Sequence, residues 1–200
     1  MTFALWLLAA YALGATPTAY LAGLARGIDL REHGSRNLGA TNVYRVLGWG
    51  WAIPVALIDI AKGAIPVARF AAPAGEGPWG AVGLGIAAVL GHIFSPYVAF
   101  KGGKGVATAA GMFLALAPVA VAIALPVWAV CLWASGYVSL SSMVAAGTFP
   151  VLVFLTRPGE RATVVASVAL AGLIIFSHRA NIRRLVAGTE NRFRTRKDRP

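Results

Sequence analysis

From Val106 to Ala134 the chain runs for 29 residues without one charged side chain. About 20 such residues cross a bilayer as a helix. Lipid offers no partner to backbone N–H and C=O groups, so the segment must satisfy them internally. Further apolar runs cover Phe3–Ala25, Trp79–Ala99, Val138–Thr156 and Ala162–Phe176, and Gly50–Phe70 is apolar apart from Asp59, Lys62 and Arg69. Only 12% of the residues are charged, against roughly 25% in soluble domains. These runs predict an all-α, polytopic integral membrane protein. It reads as a single membrane domain over residues 1–200, with a short basic tail from about residue 179. Met1 to Leu24 lacks a basic leader, so a first membrane helix explains it better than a cleavable signal peptide.

As one helix, Val106–Ala134 would be about 43 Å long at ~1.5 Å per residue. That overshoots a hydrocarbon core of about 30 Å. Pro118 and Pro126 lie inside the run, and a break near Ala117-Pro118 is expected. The break gives seven spans, with the N-terminus outside and the C-terminus cytoplasmic. Arg26–Gly48, Lys101–Gly105 and the tail then share the cytoplasmic face. They hold four, two and eight basic residues, against two outside at Arg157 and Arg161. That asymmetry follows the positive-inside rule. The formal net charge of +11 suits contact with anionic headgroups. Nucleic acid is a poor partner, because no folded basic domain is available to present the charge. Cys131 reads as a small core hydrophobe. Gly23-x-x-x-Gly27 is a helix-packing candidate, and Trp49, Trp51 and Trp79 read as interfacial anchors. Asp59 and Lys62 stand three apart inside a span, where charges are expensive and pair with one another. His92 and Ser139 read as structural hydrogen-bonding residues.

Three polar stretches are expected on one face. The first is Gly34-Ser35-Arg36-Asn37-Leu38-Gly39-Ala40-Thr41-Asn42, followed by Arg45, whose guanidinium suits bidentate phosphate binding. The second is Lys101-Gly102-Gly103-Lys104-Gly105. Its glycines permit a sharp turn, its N–H groups could form an anion-binding concavity, and a helix from Val106 would point its N-terminus there. Its spacing is not that of a P-loop. The third is Ser177-His178-Arg179-Ala180-Asn181, continuing to Arg184, Gly188 and Glu190; a helix puts His178 and Asn181 on one face. Each has an ordinary alternative: a solvated turn, snorkelling lysines, or a basic stop after a span. Together they favour a shared site for more than one phosphate. An anion transporter with a helix broken at Pro118 is the competing class; a structural lipid-associated protein is a third. Short external connections poor in polar chemistry favour an enzyme.

These stretches resemble the bacterial membrane acyl-phosphate:glycerol-3-phosphate acyltransferases, the PlsY family. The resemblance rests on GSRNLGATN with Arg45, on GHIFSPYVAFKGGKGVAT and on HRANIRRLVAGTE, supported by Asp59-x-x-Lys62-Gly63 and Ser139-x-x-Ser142. Two positions depart from it: Arg36 stands where the family has a glycine, and Leu38 where it has Pro or Ile.

The resemblance implies seven membrane helices and a cytoplasm-facing site in the bacterial inner membrane. It implies transfer of a fatty acyl group from acyl phosphate to the sn-1 hydroxyl of glycerol 3-phosphate. The products are lysophosphatidic acid and phosphate, and the step is the first acylation of phospholipid synthesis. By resemblance, Ser35, Arg45, Lys104, Ser142, His178 and Asn181 line the glycerol-3-phosphate site and the reacting centre. The turn of Gly39, Ala40, Thr41 and Asn42, with Gly102, Gly103 and Gly105, would hold the acyl-phosphate headgroup. No metal or cofactor is expected, nor acyl-CoA or a carrier protein as donor. A functional link to a soluble enzyme that makes acyl phosphate follows from the same resemblance. Direct attack by the glycerol hydroxyl needs no serine nucleophile. Either His178 or the substrate's phosphate can take the proton. A His with an Asp five residues on, the more widespread acyltransferase signature, is absent at His33, His92 and His178.

Overall fold

The structure, a computed structural model, describes residues 2–193. Arg194, Arg196, Lys197 and Arg199 of the basic tail lie outside them. Every regular element among the described residues is helical. Where the sequence reads as one domain, the contacts gather into two compact units, one up to Leu116 and the other from Ala117 onward.

The first unit contains α1 (Phe3–Ala15), α2 (Thr18–Leu24), α3 (Ala40–Leu47), α4 (Trp49–Ile65), α5 (Ala71–Ala74), α6 (Gly77–Ile93) and α7 (Val106–Leu116). A π-helical turn, Pro66–Phe70, joins α4 to α5. The helix therefore runs on through Ala71–Ala74. Helix α1 packs on α6, and α4 on α7. Both contacts are backbone-close. A Cβ on Gly14 or Gly91 would strike the opposing carbonyl of Ala88 or Tyr11, and one on Gly63 or Gly111 that of Thr108 or Ile60. Small residues of this kind let membrane helices approach. The Gly23–Gly27 pair is a different case. Gly27 has φ +68° with open space around it, and the N–H of Ile28 donates to the Gly23 carbonyl. Gly27 ends α2 in the left-handed conformation that glycine tolerates, so it is not a packing site.

The first apolar run is broken rather than continuous. Pro17 has no N–H and its ring excludes a regular helix, so α1 stops at Ala15 and α2 starts at Thr18. Two carbonyls released at the break find side-chain donors elsewhere in the unit. Ser95 Oγ donates to the Ala15 carbonyl at 2.5 Å and Lys62 Nζ to the Thr16 carbonyl at 2.9 Å. Neighbouring helices commonly rescue a proline break in this way.

The second unit contains α8 (Pro118–Ser135), α9 (Val138–Thr156), α10 (Arg161–Ser177) and α11 (Arg179–Val186). Helix α9 packs against both α8 and α10, around Ala117, Ala120 and Val153. The break expected at Pro118 is present: α7 ends at Leu116 and α8 begins at Pro118. Five helical stretches are long and apolar enough to cross a membrane, and α10 with α11, bent by 55°, makes a possible sixth. With 11 residues, α7 is only about 16 Å long and falls short of a full crossing by itself.

Candidate active site

In the first unit the Ser35 stretch is a loop leading into α3, seated on a buried apolar cluster that includes Leu30, Leu38, Val43 and Val98. Asn42 organises it. The side chain is 1% exposed; its Oδ1 accepts the Ser35 N–H at 2.7 Å, and its Nδ2 donates to the carbonyls of Leu30 and His33. Asn42, expected as a headgroup ligand, instead directs its carboxamide inward and holds the loop. The loop's other cations divide by role. Arg31 pairs with Asp29 at 2.6 Å and lies over the Tyr20 ring, and this guanidinium holds the Asp29 carboxyl below the usual carboxylate range. Arg45 sits in the last turn of α3, one helical turn beyond Thr41. Gly39 is the extended residue before α3, so Ala40 and Thr41 form its first turn.

The Lys101–Gly105 stretch folds back on the C-terminal end of α6. The N–H groups of Gly102 and Gly103 donate to the carbonyls of Ile93 and His92 at 3.0 and 3.2 Å. This corrects the expectation that successive N–H groups here form the anion concavity: two of them cap the helix. A Cβ on Gly103 would collide with His92 Nε2 and press on the Leu38 carbonyl. Gly103 is therefore packed against both the His92 ring and the Ser35 loop. Gly105 has φ +81°, and the preceding Ala99 and Phe100 are also left-handed, at φ +53° and +59°, a region non-glycine residues seldom occupy. Lys104 and Gly105 lead directly into α7.

Beneath this turn lies a buried polar cluster. Asp59 and Lys62 are 1% and 3% exposed and pair at 2.9 Å, as their spacing predicts. Asp59 Oδ1 also accepts the Thr18 hydroxyl at 2.5 Å, and His92 Nδ1 stands 3.7 Å away. The pairing was legible in the sequence. The partners Thr18 and His92, 41 and 33 residues away along the chain, were not.

In the second unit, His178 is buried at the junction of α10 and α11, with Nδ1 2.8 Å from the Ile174 carbonyl. A carbonyl oxygen only accepts, so Nδ1 carries a hydrogen and donates to it. Asn181, three residues on and also buried, donates to Glu190 Oε1 at 2.6 Å. Glu190 further accepts Ser139 Oγ at 2.8 Å and Arg184 Nε at 2.7 Å. Burial opposes its ionisation, but the Asn181, Ser139 and Arg184 hydrogen bonds outweigh burial and hold the carboxyl below its usual range. Ser139 thus bonds to a carboxylate beyond α11. Ser142 accepts the Trp128 indole N–H at 3.2 Å. Glu190 is the organising residue that sequence reasoning passed over. The available signal was an acid in a strongly basic tail, where Asp198 is the only other one.

The sequence model of the glycerol-3-phosphate acyltransferase family matches residues 4–188. The chain belongs to that family. A glycerol-3-phosphate acyltransferase of Trichlorobacter lovleyi is 44% identical over 189 residues, covering 94% of this chain and 96% of the relative. One of Syntrophotalea carbinolica is 45% identical over 196 residues, with 96% and 98% covered. The crystal structure of PlsY, described as an integral membrane glycerol 3-phosphate acyltransferase in its glycerol 3-phosphate form, superposes with a TM-score of 0.90 at 36% identity, covering 98% of this chain and 97% of that one. Its lysophosphatidic acid form gives a TM-score of 0.86 at 36% identity, with 96% of each chain covered.

Membership makes the protein a multi-pass membrane acyltransferase of the PlsY family and sets the transporter reading aside. The two departures from the family motif also acquire structural content. Arg36 has φ +60° and is exposed; it keeps a backbone conformation suited to the glycine it replaces. Leu38 is 4% exposed within the apolar cluster, where bulk and hydrophobicity are what the position requires.

Proposed function

We propose that the protein transfers a fatty acyl group from acyl phosphate to the sn-1 hydroxyl of glycerol 3-phosphate in the bacterial inner membrane. The observation that carries this reading is the close approach of Gly103 to the Leu38 carbonyl as well as to the His92 ring. It sets the Lys104 turn beside the Ser35 and Arg45 stretch, which matches a reaction whose two substrates both carry phosphate. The relatives' name and the ligand forms of the solved PlsY support the acceptor and the product.

The hydroxyl oxygen attacks the acyl carbonyl carbon, the bond from that carbon to the phosphate oxygen breaks, and inorganic phosphate leaves. Lys104 stabilises the developing negative charge; hydrogen bonds to such charge are about twice as strong as neutral ones. Ser35 and Arg45 hold the glycerol 3-phosphate, Ala40, Thr41 and the first turn of α3 meet the donor headgroup, and Ser142 and Asn181 act on the acceptor. His178 Nε2 takes the hydroxyl proton, a role that fits a ring whose Nδ1–H is committed to Ile174. Seven crossings, a cytoplasmic C-terminus, one functional domain and supply of donor by a soluble acyl-phosphate-producing enzyme belong to the same proposal.

The test is a donor comparison with purified protein and labelled glycerol 3-phosphate. Acyl phosphate gives lysophosphatidic acid, while acyl-CoA and acyl carrier protein give none. Equal turnover with acyl-CoA would remove the assigned donor.

A further inference from the structure

We infer that the buried cluster of Asp59, Lys62, Thr18 and His92 is a positioning device that sets the Lys104 turn against the Ser35 loop. The inference deepens the proposed function and rests on it.

Helix packing alone does not call for this cluster. Charges within a membrane span are expensive, and a buried ion pair can usually be replaced by well-packed apolar residues at no loss of stability. Here each charge has a directional task. Lys62 reaches from α4 to the Thr16 carbonyl released by Pro17, and Thr18, the first residue of α2, reaches back to Asp59. The same pair therefore ties both sides of the break in the first apolar run to α4. His92 brings in α6: its ring is 3.7 Å from Asp59, too far for a hydrogen bond but close enough for electrostatic orientation.

His92 also touches the Lys101–Gly105 turn, which itself meets the Ser35 loop. Its own carbonyl accepts the Gly103 N–H, and its Nε2 edge leaves no room for a Cβ at Gly103. The carbonyl of Leu38 meets the same edge of Gly103, one residue before the Gly39 that precedes α3. Rotation or displacement of the His92 ring would thus move the Gly103 turn against the Leu38 carbonyl it meets, and with it the spacing of Lys104 from Ser35. A small cavity with room for about one water is bordered by Thr16, Thr18, Leu38, Lys62, His92 and Gly103. Asp59, Lys62 and Thr18 act through His92, and none of them need touch substrate.

The test is Asp59→Asn/Lys62→Gln, which removes both charges together and leaves no uncompensated ion. Leu84→Ala, a buried apolar truncation on α6, serves as a stability control. Turnover per folded molecule, KM for both substrates and thermal stability are measured for each. The double variant should bind glycerol 3-phosphate with KM within about threefold of the parent, while kcat falls by about 10- to 100-fold, as expected when two bound groups are misplaced by around 1 Å. Leu84→Ala should lose stability and keep kcat. An unchanged kcat in the double variant overturns the inference, as does a loss that Leu84→Ala reproduces at matched stability. A parent protein inactive with acyl phosphate would instead sink the assigned reaction, and the inference with it. Should the double variant not insert, Thr18→Val decides: a kcat drop of about threefold or more at unchanged KM supports the device, and parental kcat refutes it.

Discussion

Replacing Glu190 by alanine should release the segment that follows α11. The carboxylate accepts from Ser139 on α9 and from Asn181 and Arg184 on α11, so one side chain joins two helices to the residues beyond them. Ser139 and Asn181 are 7% and 5% exposed and would be left as buried donors, at about 1–3 kcal/mol each. Arg184 has 37% of its side chain exposed and regains water, so its loss adds under ~1 kcal/mol. The total is about 2–7 kcal/mol, which corresponds to a Tm lowered by roughly 4–28 °C. The assay is thermal unfolding in detergent alongside limited trypsinolysis, with cleavage after Arg183 and Arg184 becoming fast. Glu190→Gln should fall between, because an amide can still accept from Asn181 and Ser139 but loses the charge that pairs with Arg184. The pH dependence has a definite sign. The folded carboxyl titrates below its ordinary value of 4.5, so its contribution is present above that value and is lost as pH falls through the lower folded one. The parent Tm should thus drop below about pH 4.5 more steeply than that of Glu190→Gln. A Glu190→Ala protein with parental Tm and parental resistance to trypsin would refute the reasoning.

Three further outcomes are expected. Lys104→Ala should cut transfer by ~100–1000-fold with the protein still inserted and folded, whereas Lys101→Ala, an exposed residue beside Phe100, should cost far less; steady-state rates at saturating substrates compare them. Arg36→Gly removes a left-handed non-glycine residue and should gain up to about 1 kcal/mol, partly offset by the greater backbone freedom of glycine, seen as a Tm equal to or above the parent. Cysteines at Ala74 and Thr195, the latter outside the described residues, should label from opposite sides of the membrane, with Thr195 cytoplasmic.

Much of the fold was legible because the bilayer imposes length and polarity on any helix that crosses it. The apolar runs, the break before Pro118 and the Asp59–Lys62 pair all follow from local spacing. What escaped the sequence depends on distant partners. Pro17 falls inside the run Phe3–Ala25, and the break it causes there is stabilised by Ser95 and Lys62, far along the chain. Gly27 looked like a packing residue because spacing alone cannot tell a left-handed helix end from a contact. Asn42 and the N–H groups of Gly102 and Gly103 looked available to a ligand, since a motif does not reveal which of its polar groups the fold itself consumes. Glu190 escaped for the same reason: its importance lies in three donors gathered from α9 and α11.

The most direct measurement counts both products of one reaction. Purified protein in detergent, given only acyl phosphate and glycerol 3-phosphate, should form lysophosphatidic acid and inorganic phosphate in equal amounts, with no phosphate released when glycerol 3-phosphate is omitted. Phosphate release without acceptor at a comparable rate, or acylated product formed only after a thioester donor is added, would contradict direct transfer from acyl phosphate.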